Sequence, residues 1–192
     1  MITLADWVPG PRQGEWTYSD YLAIPDDGRR YEIVNGVLLL MPSLSRSHQK
    51  TVLEIATYLR THIQTAGLGE VYVGPFDVEL AHDTVFQPDV LVVLNAGLEK
   101  VTEGGVIGAP DLVVEVASPS TAPYDRLSKY EKYAQATVPE YWIVNPEKHT
   151  VEVLALAGTT YRSLGIFEGR ATLPSRVIPE LPVRVEQFFA SI

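Results

Sequence analysis

An α/β or α+β fold on a mixed central sheet is what this sequence predicts, on three observations. Short β-rich runs alternate with helical stretches along the chain. Leu112–Val116 reads as a buried strand, with one acid, Glu115, near its end. The 192 residues fit one domain, spanning 1–192, and contain no repeat, low-complexity tract or domain linker.

Taken in order, Thr17–Ile24 begins with Thr17 three residues before Asp20, a variant capping box, and predicts a short helix. Asn35-Gly36 suits a type I′ turn, so Tyr31–Val34 and Val37–Met41 form a hairpin. Ser45 or Ser47 opens the longest helix, which runs to about Ala66 and ends at Gly67. Val52, Ile55, Ala56, Leu59 and Ile63 share its apolar face. Strands follow at Glu70–Val73, Asp77–Leu80 and Asp89–Leu94, then a looser segment rich in Gly and Glu, then the strand Leu112–Ala117. A helix from about Tyr124 to Ala136 precedes two strands joined at Asn145–His149. Short strands at Tyr161–Leu164, Ala171–Leu173 and Leu181–Val185 and a helical turn near Glu186–Ala190 complete the chain.

Composition narrows the function classes. No apolar run reaches the roughly 18–20 residues that span a membrane, and "MITLADWVPGPRQGEW" lacks the basic and apolar regions of a signal peptide. With no cysteine, disulfides and thiolate metal sites are excluded, and a cytoplasmic protein is the expectation. The formal net charge of −9 disfavours loose binding to polyanions, though carboxylates that hold cations contribute to such an excess.

Glu115 needs a partner if it binds metal, and two Pro-Asp pairs compete. Asp111 stands four residues away on the same strand, roughly 13 Å at about 3.3 Å per residue, too far to share one ion. Asp89 can occupy a neighbouring strand and meet Glu115 across the sheet. Two acids and a lysine suffice for phosphodiester hydrolysis, yet Ala117 occupies the position two residues after Glu115. Lys129, on the next helix, can reach back to the carboxylates; alternatively it forms an exposed pair with Asp125. Lys132 lies about 90° farther around the helix by the ~3.6-residue period and is the weaker candidate. Ser118 and Ser120 lack a nucleophile elbow, and "SPST" reads as a turn and helix entry.

The stretches "YEIVNG", "SHQKTV", "FQPDVLVV", "GAPDLVVEVASPST", "YDRLSKYEKYA" and "VPEYWIVNPEKHTVEV" occur in an order that resembles the Uma-two type of endonuclease, a branch of the PD-(D/E)XK superfamily. The resemblance covers roughly Tyr18 to Val153, with a weaker tail beyond. It implies a restriction-endonuclease-like core, a mixed sheet flanked by helices with a metal site at one edge and extra strands at the C-terminus. By the same resemblance Asp89 and Glu115 match the metal-binding acids, and Lys129 matches a helix lysine that takes over the missing role. Glu32 matches a characteristic acid and His48 a histidine opening the long helix. Asn145 departs from the family's usual Asp at what reads as a turn.

The leading expectation is a nuclease for DNA rather than RNA, with Asp89 and Glu115 holding Mg²⁺ or Mn²⁺ and the Val116 carbonyl as a third ligand. Lys129 then positions the attacking water, and a homodimer suits double-strand cleavage. The competing expectation is a nuclease-like fold kept as a binding or dimerisation module, which the net charge favours. A third is a hydrolase of another phosphate ester. Arg29, Arg30, Arg46, Lys50, Arg126, Lys129 and Lys132 can still gather into a local basic wall.

Overall fold

The computed structural model describes residues 2–118, 125–179 and 181–190, with the backbone alone at Asp125 and Arg126. A central sheet runs in the order β12-β11-β10-β9-β7-β4. Its strands are β4 Gly69–Val73, β7 Val90–Leu94, β9 Leu112–Val116, β10 Glu140–Asn145, β11 Thr150–Ala157 and β12 Thr160–Glu168. The β9–β10 pair is parallel and the others antiparallel, so the sheet is mixed. The expected central sheet is therefore present, and a second six-stranded sheet accompanies it.

That second sheet has the order β1-β3-β2-β6-β5-β8. It comprises β1 Thr3–Leu4, β2 Tyr31–Val34, β3 Val37–Leu40, β5 Asp77–Ala81, β6 Thr84–Phe86 and β8 Gly105–Ile107. The sequence reading lacks β1, β6 and β8, because runs of two or three residues are too short to display a period of two. It also lacks the long-range pairing Ile33↔Val85 that carries the hairpin into this sheet.

Local chemistry explains the elements that were legible. Thr17 caps α1 (Tyr18–Leu22), and its backbone N–H donates to Asp20 Oδ2 at 3.0 Å, closing the capping box. Asn35 and Gly36 turn the β2–β3 hairpin at φ of 50° and 72°. A Cβ on Gly36 would also stand 2.4 Å from the Gly14 carbonyl oxygen, so both backbone angle and space demand glycine there. Ser45 caps α2 (Arg46–Leu59) by accepting from His48 N, and a π-helical turn, Arg60–Gln64, extends it toward Gly67.

After β9, the start of the expected helix at Tyr124 lies outside the described residues. Asp125–Lys129 forms a π-helical turn that hands over at Lys129 to α3 (Tyr130–Gln135). Two expected C-terminal strands reduce to one bridge, Thr172↔Arg184. Pro174, Pro179 and Pro182 each remove a ladder donor there, and a 3-10 turn at Val185–Phe189 follows. Glu140, fully buried, anchors this tail by accepting from Arg176 N at 2.6 Å and from Trp142 Nε1 at 2.7 Å.

Alternation along β9 divides the core. Val114 and Val116 pack with Val90 and Val92 against Val52, Ile55, Leu59 and Ile63 of the long helix. Val113 turns the other way, with Phe86, Tyr133 and Tyr141. Leu91 and Val93 likewise meet Val78 and Val106 of the second sheet. Glu115 shares a side of β9 with Val113, and so faces the seam between the sheets. No helix among the described residues is long and apolar enough to cross a membrane.

Candidate active site

The antiparallel register of β7 and β9 pairs Val90 with Val114. One step further, Asp89 falls opposite Glu115, where facing residues stand with Cβ atoms about 4.5–5.5 Å apart. Asp89 is not simply an extension of the strand. Its Oδ2 accepts from the Val116 backbone N at 2.8 Å and contacts His48 Nε2 at 3.0 Å. Helix α2 delivers His48 because Ser45 fixes the helix start three residues earlier. With Oδ2 a carboxylate oxygen already accepting from Val116, Nε2–H is the matching donor tautomer, and among the described residues Nδ1 is buried without a partner.

Glu115 Oε1 accepts from Lys129 Nζ at 2.8 Å and from the Tyr133 hydroxyl at 2.7 Å. Lys129 Nζ also donates to Glu32 Oε1 at 3.0 Å and lies 5.4 Å from the centre of the Phe86 ring. Glu32 enters from β2 of the second sheet and accepts the Gln87 backbone N–H at 3.1 Å. Lys129 is 2% exposed and Glu32 0%, so these charges are removed from bulk water. Burial of a charge demands a bonded opposite charge, which this arrangement supplies. Burial also pushes the Tyr133 phenol well above its ordinary pKa, and the neighbouring Glu115 carboxylate adds to the rise.

Asp89, Glu115, Val116, Lys129 and His48 all line one cleft of about 400 Å³, together with Arg30 and Gln87. Glu32 stands behind it. All six residues singled out from the sequence are thus brought to one place. Others are not. Lys132 bonds Gln135 on the outer side of α3. Asp111 accepts from Leu94 N and closes the entry to β9. Ser118 lines the cleft, while Ser120 and the Asp125 side chain lie outside the described residues. Asn145 accepts from Glu147 N and Lys148 N in the β10–β11 turn.

Two participants escaped sequence reasoning. Tyr133 stands one helical turn beyond Lys129, and its hydroxyl fixes Glu115. Gln87 precedes Pro88-Asp89 directly, and that adjacency was the available signal.

The donor set fits a hard divalent cation. Asp89, Glu115 and the Val116 carbonyl offer only oxygen. Ala117 N donates to Val144 O of β10, so the N–H and carbonyl of Val116 turn toward β7. There the register sets Val116 opposite Pro88, which has no N–H to give that carbonyl. Among the described residues no three His, Cys, Asp or Glu side chains group closely enough to hold an ion alone. Backbone, water and substrate oxygens would complete the shell, as Mg²⁺ commonly requires.

Comparisons with known proteins bear on the family and the fold. The family model described as "Uma2: Putative restriction endonuclease" matches residues 18–186. Among solved structures, the chain resembles a crystal structure titled as a putative nuclease belonging to DUF820 from Anabaena variabilis. The TM-score is 0.76 at 17% identity, with 91% of this chain and 98% of that chain covered, a likeness of fold. No curated protein matches the chain.

Proposed function

The chain belongs to the Uma2 family, and from that membership and the buried cluster we propose a metal-dependent nuclease that hydrolyses phosphodiester bonds of DNA. The observation that carries this reading is the pair of bonds from Lys129 Nζ to Glu115 and Glu32. They supply, from the next helix, the ammonium that Ala117 cannot.

In this mechanism Asp89, Glu115 and the Val116 carbonyl would hold Mg²⁺ or Mn²⁺. A bound ion of this kind acidifies water and stabilises charge on phosphoryl oxygens. His48 Nε2 and Val116 N fix Asp89 through the same oxygen, which orients the carboxylate. The Tyr133 hydroxyl and Lys129 fix Glu115 likewise. Lys129, paired with its two acids at the cleft wall, would face the attacking water or the scissile phosphate. Glu32 keeps that ammonium aimed at the cleft rather than at solvent.

Cleavage of supercoiled and linear DNA with Mg²⁺ or Mn²⁺, beside Asp89→Ala and Lys129→Ala, tests the reading. Metal-dependent cutting by the wild type, lost in both variants, is the expected result. Cutting that survives both substitutions would place the chemistry elsewhere. The second reading, a nuclease-like fold used for binding, draws on the net charge of −9 and predicts no cutting with any metal.

A further inference from the structure

Resting on the nuclease reading, we propose that Arg30 forms a phosphate-binding subsite, a guanidinium docked on Gln87 that receives a backbone phosphate oxygen of the substrate. Arg30 lies two residues before Glu32, so by the period of two both leave the same side of the chain. Glu32 goes inward to Lys129, and Arg30, half-buried, lines the cleft that contains Asp89 and Glu115.

Its direction is set by neutral groups. Arg30 Nε donates to Gln87 Oε1 and Nη2 to the Gln87 carbonyl, both at 3.3 Å. The Gln87 amide is itself fixed, because its Nε2 donates to Asp77 Oδ1 and to the Tyr21 hydroxyl oxygen, each at 2.9 Å. Turning that amide over would place an NH₂ against the guanidinium and a carbonyl oxygen against a carboxylate. Asp77 is held in turn by the hydroxyls of Tyr18 and Tyr21. A chain of bonds through the second sheet therefore aims one arginine at the cleft.

Among the described residues Arg30 has no carboxylate partner. Its neighbour Arg29 differs: it pairs with Asp27 at 3.7 Å and sits 5.6 Å from the Trp7 ring centre. Among the described residues, Arg30 and Lys129 are the arginine and lysine side chains that line the cleft, and Lys129 is committed to Glu115 and Glu32. Gln87 leaves the remaining donors of the Arg30 fork and its full charge for a ligand. A planar fork of N–H donors matches phosphate oxygens, and a half-buried guanidinium without a counter-ion gains most from an arriving anion.

The test is binding of a fluorescein-labelled duplex DNA oligonucleotide, in EDTA to prevent cutting, across a salt series. Arg30→Gln is expected to lose roughly tenfold in affinity. It should also lower the slope of log K against log salt by about 0.9, the value of one phosphate contact. Arg30→Lys keeps the charge and the slope but loses affinity several-fold. Wild-type affinity and slope in Arg30→Gln would overturn the subsite while leaving the nuclease reading intact. Failure of the wild type to bind the duplex at low salt would likewise overturn the subsite, whereas the nuclease reading stands or falls by metal-dependent cutting. If thermal melting shows that Arg30→Gln does not fold, Arg30→Lys and Gln87→Met decide, and unchanged affinity in both overturns the docked guanidinium.

Discussion

Lys129 Nζ lies 2.8 Å from Glu115 Oε1 and 3.0 Å from Glu32 Oε1, so one ammonium joins the helix after β9 to strands of both sheets. Glu32 and Lys129 are separated by 97 positions, and no local rule connects them. Their junction is at once a structural staple and the centre of the proposed chemistry.

The staple has a measurable worth. Removing one partner of a buried ion pair leaves charge stranded, at a cost of about 3–5 kcal/mol. Lys129→Ala should lose stability of that order in urea unfolding, and adding Glu32→Gln should recover part of it. A loss under about 1 kcal/mol, the range of an exposed pair, would show that the cluster is open to water.

Metal should stabilise the wild type and not Asp89→Ala. At Mn²⁺ about 100-fold above its Kd, linkage adds about 2.7 kcal/mol. For a chain of this size that raises the melting temperature by roughly 5–10 °C. An equal rise in Asp89→Ala would place the ion elsewhere.

His48 reaches the proposed metal site through Asp89. Such orienting partners typically carry 10–100-fold in metal affinity. His48→Ala should weaken Mn²⁺ binding in calorimetry by about that factor, while His48→Gln, which keeps an N–H donor, should restore part of it. Identical affinities in all three proteins would reduce His48 to packing.

Tyr133 predicts a dependence on alkaline pH. Its folded pKa is raised by burial and by Glu115, so its contribution to stability is full below the unfolded tyrosine value. That contribution is lost as pH climbs beyond about 10 toward the folded value. The wild type should therefore lose more stability than Tyr133→Phe between about pH 9 and 11. At neutral pH, Tyr133→Phe should itself cost about 1.5–3 kcal/mol, because a bond to a buried carboxylate is removed. Parallel pH profiles would mean that the phenol is not sealed in the core.

Much of this was legible in the sequence. Thr17 and Asp20, Asn35-Gly36 and Ser45 announce their elements because caps and turns are decided by adjacent residues. Apolar spacing on the long helix names the face that packs on Val90 and Val114. The second sheet was not legible, since β6 and β8 are three residues each and pair with distant strands.

The candidate site divides along the same line. Residue type and order set which groups were available: two separated acids, a lysine displaced from the strand to the next helix, and the family pattern that orders them. Residue type and spacing along one strand also disqualified Asp111, since backbone rise sets how far apart two carboxylates must stand. The partner that each group takes is set by packing between the two sheets and the helix after β9. Lys129 goes to Glu32 as well as Glu115, Tyr133 donates to Glu115, and Arg30 docks on Gln87 while Arg29 pairs with Asp27. The reason is physical. Burial makes an unpaired charge costly, and long-range contact between the two sheets sets which opposite charge is within reach.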